Sequence, residues 1–179
     1  NSLWRISHLI NETLDVSSIE SKVFKIRTEP LDLQVIIQDL IDNYSYLISQ
    51  KEITLISDIE DIPANLNRVY FTQIADNLFS NAFKYTPAGK KVKISLKRID
   101  DMVVLEVEDE GPGISDELKD NLFNQYKRQT QAHMQGLPPK GLGLAIVEKY
   151  TRSMKGNVTF RDNPGGGNCF IIELPIKLQ

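Results

Sequence analysis

Four polar residues in the middle of the chain recur at helical spacing: Gln73, Asn77, Asn81 and Lys84. At about 100° per residue they form one stripe of a helix, beside an apolar stripe of Phe71, Ile74, Leu78, Ala82 and Tyr85. Core on one side and water on the other would give such a pattern. Asparagine, however, is a poor residue for a helix interior, because its amide competes for backbone hydrogen bonds. Two asparagines one turn apart, followed by a lysine, make a face that can meet an anion and a hard cation. An amide oxygen suits Mg²⁺, which keeps several waters and takes few protein ligands.

Two glycine segments follow. Asp109-Glu110-Gly111-Pro112-Gly113 comes directly after an alternating run. It reads either as a plain glycine turn or as one fixed carboxylate among glycines that let a flat ring approach the backbone. A carboxylate so placed can accept a hydrogen bond from an exocyclic amine such as that of adenine. Lys140-Gly141-Leu142-Gly143-Leu144 opens a helix, and helix N-termini bind phosphates through free N–H groups and the dipole. Other phosphate-binding patterns do not fit. Gly136 and Gly141 have phosphate-loop spacing, but Leu142 stands where the lysine belongs. A third glycine for a dinucleotide fingerprint is missing, as are the Asp-Phe-Gly and His-Arg-Asp motifs of protein kinases.

Elements must hold these residues in place. Leu3, Ile6, Ile10 and Leu14 predict a first helix ending near Ile19, and Val23 to Arg27 a linker strand. Pro30 is expected to open a second helix, with Asp32 as its cap and Leu33, Ile36, Ile37, Leu40, Ile41, Tyr44, Leu47 and Ile48 as its core face. Ile53–Ile59 reads as a strand and Asn67–Tyr85 as the helix bearing the asparagines. Val92, Ile94 and Leu96 alternate with lysines, and Val103, Leu105 and Val107 with glutamates, around a turn at Asp100-Asp101. Ser115–Lys140 has little periodicity, and so long a weakly structured stretch is usually functional or disordered. Leu142–Met154 is a helix. Gly156–Phe160 and Asn168–Ile176 form a closing hairpin across Pro164-Gly165-Gly166-Gly167. The expected fold is a two-layer α/β sandwich, with helices on one face of a mixed, largely antiparallel sheet.

Composition narrows the function classes. The 179 residues suit one domain with a short attachment. Lys and Arg number 21 against 24 Asp and Glu, so the basic excess of a nucleic-acid binder is missing. The single cysteine, Cys169, cannot form an internal disulfide and reads as a buried thiol in a reducing compartment. No apolar run approaches the roughly 18 residues of a membrane helix, and no signal peptide is visible. The chain reads as soluble and cytoplasmic. It starts without Met in mid-pattern, which predicts a piece of a longer protein whose other parts can be membrane-bound.

The order of the three chemical elements is more specific than any one of them. It resembles the GHKL superfamily and, within it, the sensor histidine kinases of two-component systems, whose ATP-binding domain has the Bergerat-type fold. Asn77-Leu78-Phe79-Ser80-Asn81-Ala82-Phe83-Lys84-Tyr85-Thr86-Pro87 resembles the N box, and Asp109–Gly113 the first glycine box. Leu122-Phe123-Asn124-Gln125-Tyr126-Lys127-Arg128 resembles the F box of the ATP lid, Gly141–Val147 the second glycine box, and Gly165–Pro175 the closing hairpin. Residues 1–22 resemble the second helix of the dimerisation and phosphotransfer hairpin plus its linker, leaving 23–179 as the catalytic domain.

The resemblance implies roles. Asn81 ligates Mg²⁺ and Asn77 supports the site or the phosphates. Lys84 contacts the phosphates, Tyr85 packs by the nucleotide, and Asp109 accepts from the adenine amine, with Gly111, Gly113 and Ile114 lining the base. Arg128 reaches from the lid to the γ-phosphate. Lys140, Gly141, Leu142, Gly143 and Leu144 shape the phosphate turn. Implied partners are ATP or ADP, a phosphoacceptor histidine on the hairpin of the same parent homodimer, and a response regulator receiver domain. Four positions depart from the family pattern. Asn67 stands for an Asp, Gln125 for a Pro, and Pro139-Lys140 for Gly-Thr; the proline removes a backbone donor and Lys140 adds a point charge.

ATP-hydrolysing relatives carry a Glu four residues before the metal Asn, to activate water; here that position is Asn77. Transfer to a protein nucleophile is therefore expected over hydrolysis, and a nucleotide-sensing module without catalysis is the remaining alternative. His8 lacks the acidic neighbour of a phosphoacceptor, and His133 has no partner nearby in sequence, so neither is expected to be the nucleophile.

Overall fold

The computed structural model describes residues 26–114, Lys119 and residues 142–178. The helix expected over residues 3–19 and the segment 120–141 lie outside them. A short strand β1 (Glu29–Asp32) leads into helix α1 (Leu33–Asn43) and helix α2 (Ser45–Gln50). Strands β2 (Thr54–Ile59) and β3 (Pro63–Leu66) precede the long helix α3 (Arg68–Tyr85). The hairpin β4 (Lys91–Ile99) and β5 (Met102–Asp109) follows, then helix α4 (Leu142–Ser153) and the hairpin β6 (Asn157–Asp162) and β7 (Asn168–Pro175).

The main sheet runs β2-β4-β5-β7-β6. Only β2 and β4 pair in parallel; the other pairs are antiparallel. One sheet face is apolar and buried: Val92, Ile94, Leu96, Val103, Leu105, Val107, Ile172 and Leu174. Against it pack Leu33 and Ile37 of α1, Phe71, Phe79 and Phe83 of α3, and Val147 of α4. Each fully buried phenylalanine contributes about 1.5–3 kcal/mol of burial free energy. The other face is charged. Arg161 reaches Glu106 at 3.4 Å and Glu108 at 3.8 Å. Between those strands lies Cys169, whose thiol burial pushes up to about 11. This is the expected two-layer sandwich with a mixed sheet.

Local chemistry explains the element ends. Asp32 accepts a hydrogen bond from the Val35 N–H at 3.1 Å and Asn67 one from the Tyr70 N–H at 2.9 Å. Each is a side-chain N-cap, typically about 1 kcal/mol. The β4–β5 register pairs Ile99 with Met102, so Asp100-Asp101 is the turn, and Asp100 takes the left-handed φ of 54°.

Two expectations are corrected. Pro30 lies in a strand, not at a helix start: β1 pairs antiparallel with β3, and the helix begins after Asp32. The β1–β3 ribbon went unread because its strands are only four residues long. The second helix also breaks at Tyr44 (φ −97°, ψ 0°), although its apolar spacing continues to Ile48. There the tyrosine hydroxyl donates to Asp76 Oδ1 at 2.7 Å, and its ring packs 5.2 Å from Phe83. A tertiary bond thus sets a boundary that periodicity does not reveal.

Candidate functional site

Helix α3 is the floor of the site. Its apolar stripe is buried from Phe71 to Ala82, but Tyr85, expected on the same stripe, is 55% exposed. The neighbouring Gln73, Asn77 and Asn81 are half-buried and Lys84 is exposed. Asn77 does not face water passively. Its Nδ2 donates to the Gln73 carbonyl at 2.7 Å, one turn back on the same helix. Its Oδ1 lies against Gly143 in the first turn of α4, where a β-carbon would come within 2.8 Å of it. A side chain at residue 143 would displace the amide. Farther along, Tyr70 and Tyr150 stack with centroids 4.2 Å apart and rings 6° from parallel, fixing α4 on α3.

Asn81 is one turn beyond Asn77, half-buried, and its amide has no hydrogen-bond partner among the described residues. Those residues contain no cluster of three His, Cys, Asp or Glu that could hold a metal. Among the described residues a cation here would meet the Asn81 amide oxygen, with water and a ligand's own oxygens beside it, a donor set that suits Mg²⁺. Lys84 lies in the last turn, its ammonium 5.1 Å from the Tyr85 ring centroid.

The same C-terminal end of α3 meets the glycine segment, through the Tyr85 carbonyl. Asp109 ends β5 and is 8% exposed. Burial raises its pKa, against which the Gly111 and Asn168 backbone N–H groups pull down and Glu108 pushes up. The Gly111 bond is 2.8 Å long. Gly111 itself is confined: a β-carbon there would come within 2.6 Å of Asp109 Oδ1 and 3.5 Å of the Tyr85 carbonyl. Glu110 fastens this segment to β4, its N–H donating to the Lys91 carbonyl while its carboxylate accepts from the Lys91 N–H at 2.9 Å. Gly113 takes a φ of +76°, as a chain turning sharply around a site requires.

A second loop closes on Asp109, and its role was not legible beforehand. In the β6–β7 turn, Asn163 Nδ2 donates to the Asp109 carbonyl at 3.0 Å, while Asn163 Oδ1 accepts from the Gly165 N–H at 3.1 Å. Gly167 (φ +85°) packs so closely that a β-carbon would collide with the Asp109 carbonyl, its Oδ1 and the Gly111 nitrogen. The Pro-Gly-Gly-Gly run is a turn, as read, but one shaped to clasp a carboxylate.

The structure therefore places Asn77, Asn81, Lys84 and Tyr85 on α3, Asp109, Gly111 and Gly113 in the segment that meets its C-terminal end, and Gly143 and Leu144 in the first turn of α4, which meets it at Asn77. Ile114 and Leu144 pack partly buried at the edge of the core. Arg128, Lys140 and Gly141 lie outside the described residues, and only the backbone of Leu142 is described. From the Asn77–Gly143 contact to the Tyr85–Gly111 contact is eight residues of helix, about 12 Å at 1.5 Å per residue. No helix among the described residues is long and apolar enough to cross a membrane.

Comparison with known proteins agrees with this geometry. The family model for histidine kinase-, DNA gyrase B- and HSP90-like ATPases matches residues 67–178, which run from the cap of α3 to the end of the closing hairpin. The adaptive-response sensory kinase SasA of Rippkaea orientalis is 32% identical over 175 residues, covering 96% of this chain and 44% of that protein. The sensor protein EvgS of Escherichia coli is 30% identical over 178 residues, covering 96% of this chain and 15% of that protein. Among solved structures, the Acinetobacter baumannii histidine kinase AdeS superposes with a TM-score of 0.73 at 27% identity, covering 97% of this chain and 80% of that one. The chain spans less than half the length of the two curated relatives. It belongs to the histidine kinase-, DNA gyrase B- and HSP90-like ATPase family, as an ATP-binding catalytic domain of the sensor histidine kinase type.

Proposed function

We propose that this domain binds ATP with Mg²⁺ along α3 and presents the γ-phosphoryl group to a histidine on a dimerisation hairpin of the same parent homodimer, for onward transfer to a response regulator receiver domain. The observation that carries the reading is the clasped Asp109 carboxylate: a buried acceptor, ringed by glycines, at one end of a polar helix face. Asp109 accepts from the adenine amine, and Gly111, Gly113 and Ile114 leave room for the base. Tyr85 packs beside the nucleotide. Asn81 ligates the cation, Asn77 holds the phosphate side together with Gly143, and Lys84 neutralises phosphate charge. Arg128, Lys140, Gly141, Leu142 and Leu144 complete the phosphate end. Mg²⁺, held by Asn81, would neutralise phosphate charge when bound.

The transfer is a displacement at phosphorus. An imidazole nitrogen of the acceptor histidine forms the new P–N bond, the bond to the ADP oxygen breaks, and ADP departs. Residues 1–22 are assigned to the hairpin helix and linker, and 23–179 to the catalytic domain. Hydrolysis is the weaker reading, because Asn77 holds the place where a carboxylate base would activate water and its amide cannot accept that proton. The test mixes the chain with a separate hairpin fragment carrying its histidine and γ-labelled ATP. Label should pass to the hairpin and stop when Asn81 is replaced by Ala. Label on His8 of the isolated chain, or rapid phosphate release without the hairpin, contradicts the proposal.

A further inference from the structure

Helix α3 carries the phosphate-side residues, yet its C-terminal turn leaves carbonyls that no residue of the helix can satisfy. Thr86 N–H takes the Ala82 carbonyl. The next two are taken from outside the helix. Lys51, at the junction of α2 and β2, donates from Nζ to the Phe83 carbonyl and to the Lys84 carbonyl, both at 2.9 Å. A cation at this end also complements the helix dipole. Lys51 is half-buried, and no carboxylate pairs with it among the described residues. Its charge is met by the helix end.

The same residue holds the chain that leaves the helix. The Lys51 carbonyl accepts from the Gly89 N–H at 2.9 Å, and the Thr54 N–H donates to the Lys90 carbonyl at 2.9 Å. The loop between α3 and β4 is thus tied at Lys51 and again at Thr54. Two contacts make this turn matter for the ligand. The Tyr85 carbonyl lies 3.5 Å from the β-carbon position of Gly111, and the Lys84 side chain lies over the Tyr85 ring. Movement of the last turn would shift Lys84 relative to Gly111, and the two are assigned to different groups of the nucleotide, the phosphates and the base.

We propose that Lys51 is a positioning residue: by capping α3 it sets where Lys84 points and so the affinity for the phosphate tail, without touching nucleotide itself. This rests on the assignment of Lys84 to the phosphates. The experiment compares the intact chain with Lys51→Met, Lys51→Arg, Lys84→Met and the Lys51→Met/Lys84→Met pair, titrating Mg·ATP and adenosine by calorimetry. Lys51→Met keeps the apolar stem and removes the donors. It should weaken Mg·ATP about fivefold, as expected for a helix-end cation in a partly buried setting, and change adenosine less than about twofold. Lys51→Arg should restore most of the loss, since a guanidinium can donate to both carbonyls. In the Lys51→Met background, Lys84→Met should cost clearly less than it does alone. Equal weakening of Mg·ATP and adenosine, or additive losses in the double variant, overturns the proposal and leaves Lys51 a purely structural cap. If Lys84→Met alone leaves Mg·ATP affinity unchanged, the assignment of Lys84 fails and this proposal falls with it.

Discussion

The amide oxygen of Asn77 occupies the space in which Gly143 would otherwise carry a side chain, 2.8 Å from its β-carbon position. Two motifs far apart in sequence, a polar helix face and a glycine at a helix start, are halves of one contact. Gly143 serves here by lacking a β-carbon, not by a special backbone angle.

Gly143→Ala therefore sets two effects against each other. Alanine in place of glycine inside a helix stabilises by about 1 kcal/mol, while the new methyl must push aside an amide whose Nδ2 is already bonded to Gln73. The displaced atom is a side-chain terminus, so thermal stability should change by less than about 1 kcal/mol while ATP affinity falls. Scanning calorimetry and ligand titration separate the two. In an Asn77→Ala background the same substitution should become stabilising.

Gly167→Ala is expected to be far more damaging. The residue has a φ of +85°, and its β-carbon would collide with backbone atoms of Asp109 and Gly111, which cannot swing away. We expect a loss of about 2 kcal/mol or more in a urea titration, from backbone strain plus overpacking. A variant as stable as the parent would mean that the turn does not clasp Asp109 as described.

Tyr44→Phe removes the hydroxyl that donates to Asp76 at 2.7 Å and leaves its ring packing on Phe83 in place. Burial and the Asp76 carboxylate both hold this phenol well above its ordinary range, so it stays a donor at all physiological pH. A hydrogen bond to a charged acceptor contributes about 1.5–3 kcal/mol. Denaturant unfolding should show a loss toward the lower end of that range, since the bond is only partly buried.

Most of the core was legible in the residues. Periodicity located α3, α4 and the β4–β5 hairpin, because long amphipathic elements repeat their signal many times. The site was legible as three separate pieces. Asn77 and Gly143 each stand out, but their contact depends on the packing angle of two helices, which spacing does not encode. Lys51 and Tyr44 were invisible as site residues for the same reason: a lysine after a helix and a tyrosine on an apolar stripe look ordinary until tertiary structure supplies the Phe83 carbonyl and Asp76. Asn163 reads as turn chemistry alone, since Asn is common in turns. Its bond to Asp109 spans 54 residues of sequence.

Asp109 predicts a pH dependence. Burial raises its folded pKa above that of the unfolded chain. The ligand-free protein thus holds the proton to higher pH, and this residue's contribution to stability declines as pH rises from the ordinary carboxylate value of about 3.9 through the folded value. Nucleotide binding runs the other way, because only the ionised carboxylate is a pure acceptor. ATP affinity should fall as the pH is lowered into the acid range, and Asp109→Asn should flatten that fall. A fall of the same steepness in the variant would place the titrating group elsewhere.

The central claim is that Asp109 selects adenine at the end of α3. It is tested most directly by calorimetric titration of Mg·ATP into the parent chain and into Asp109→Asn at neutral pH, with GTP as the comparison ligand. Replacing the charged acceptor should cost about 1.5–3 kcal/mol of ATP binding and erase most of the preference for ATP over GTP. Undiminished ATP affinity in Asp109→Asn, with the preference intact, would contradict the account.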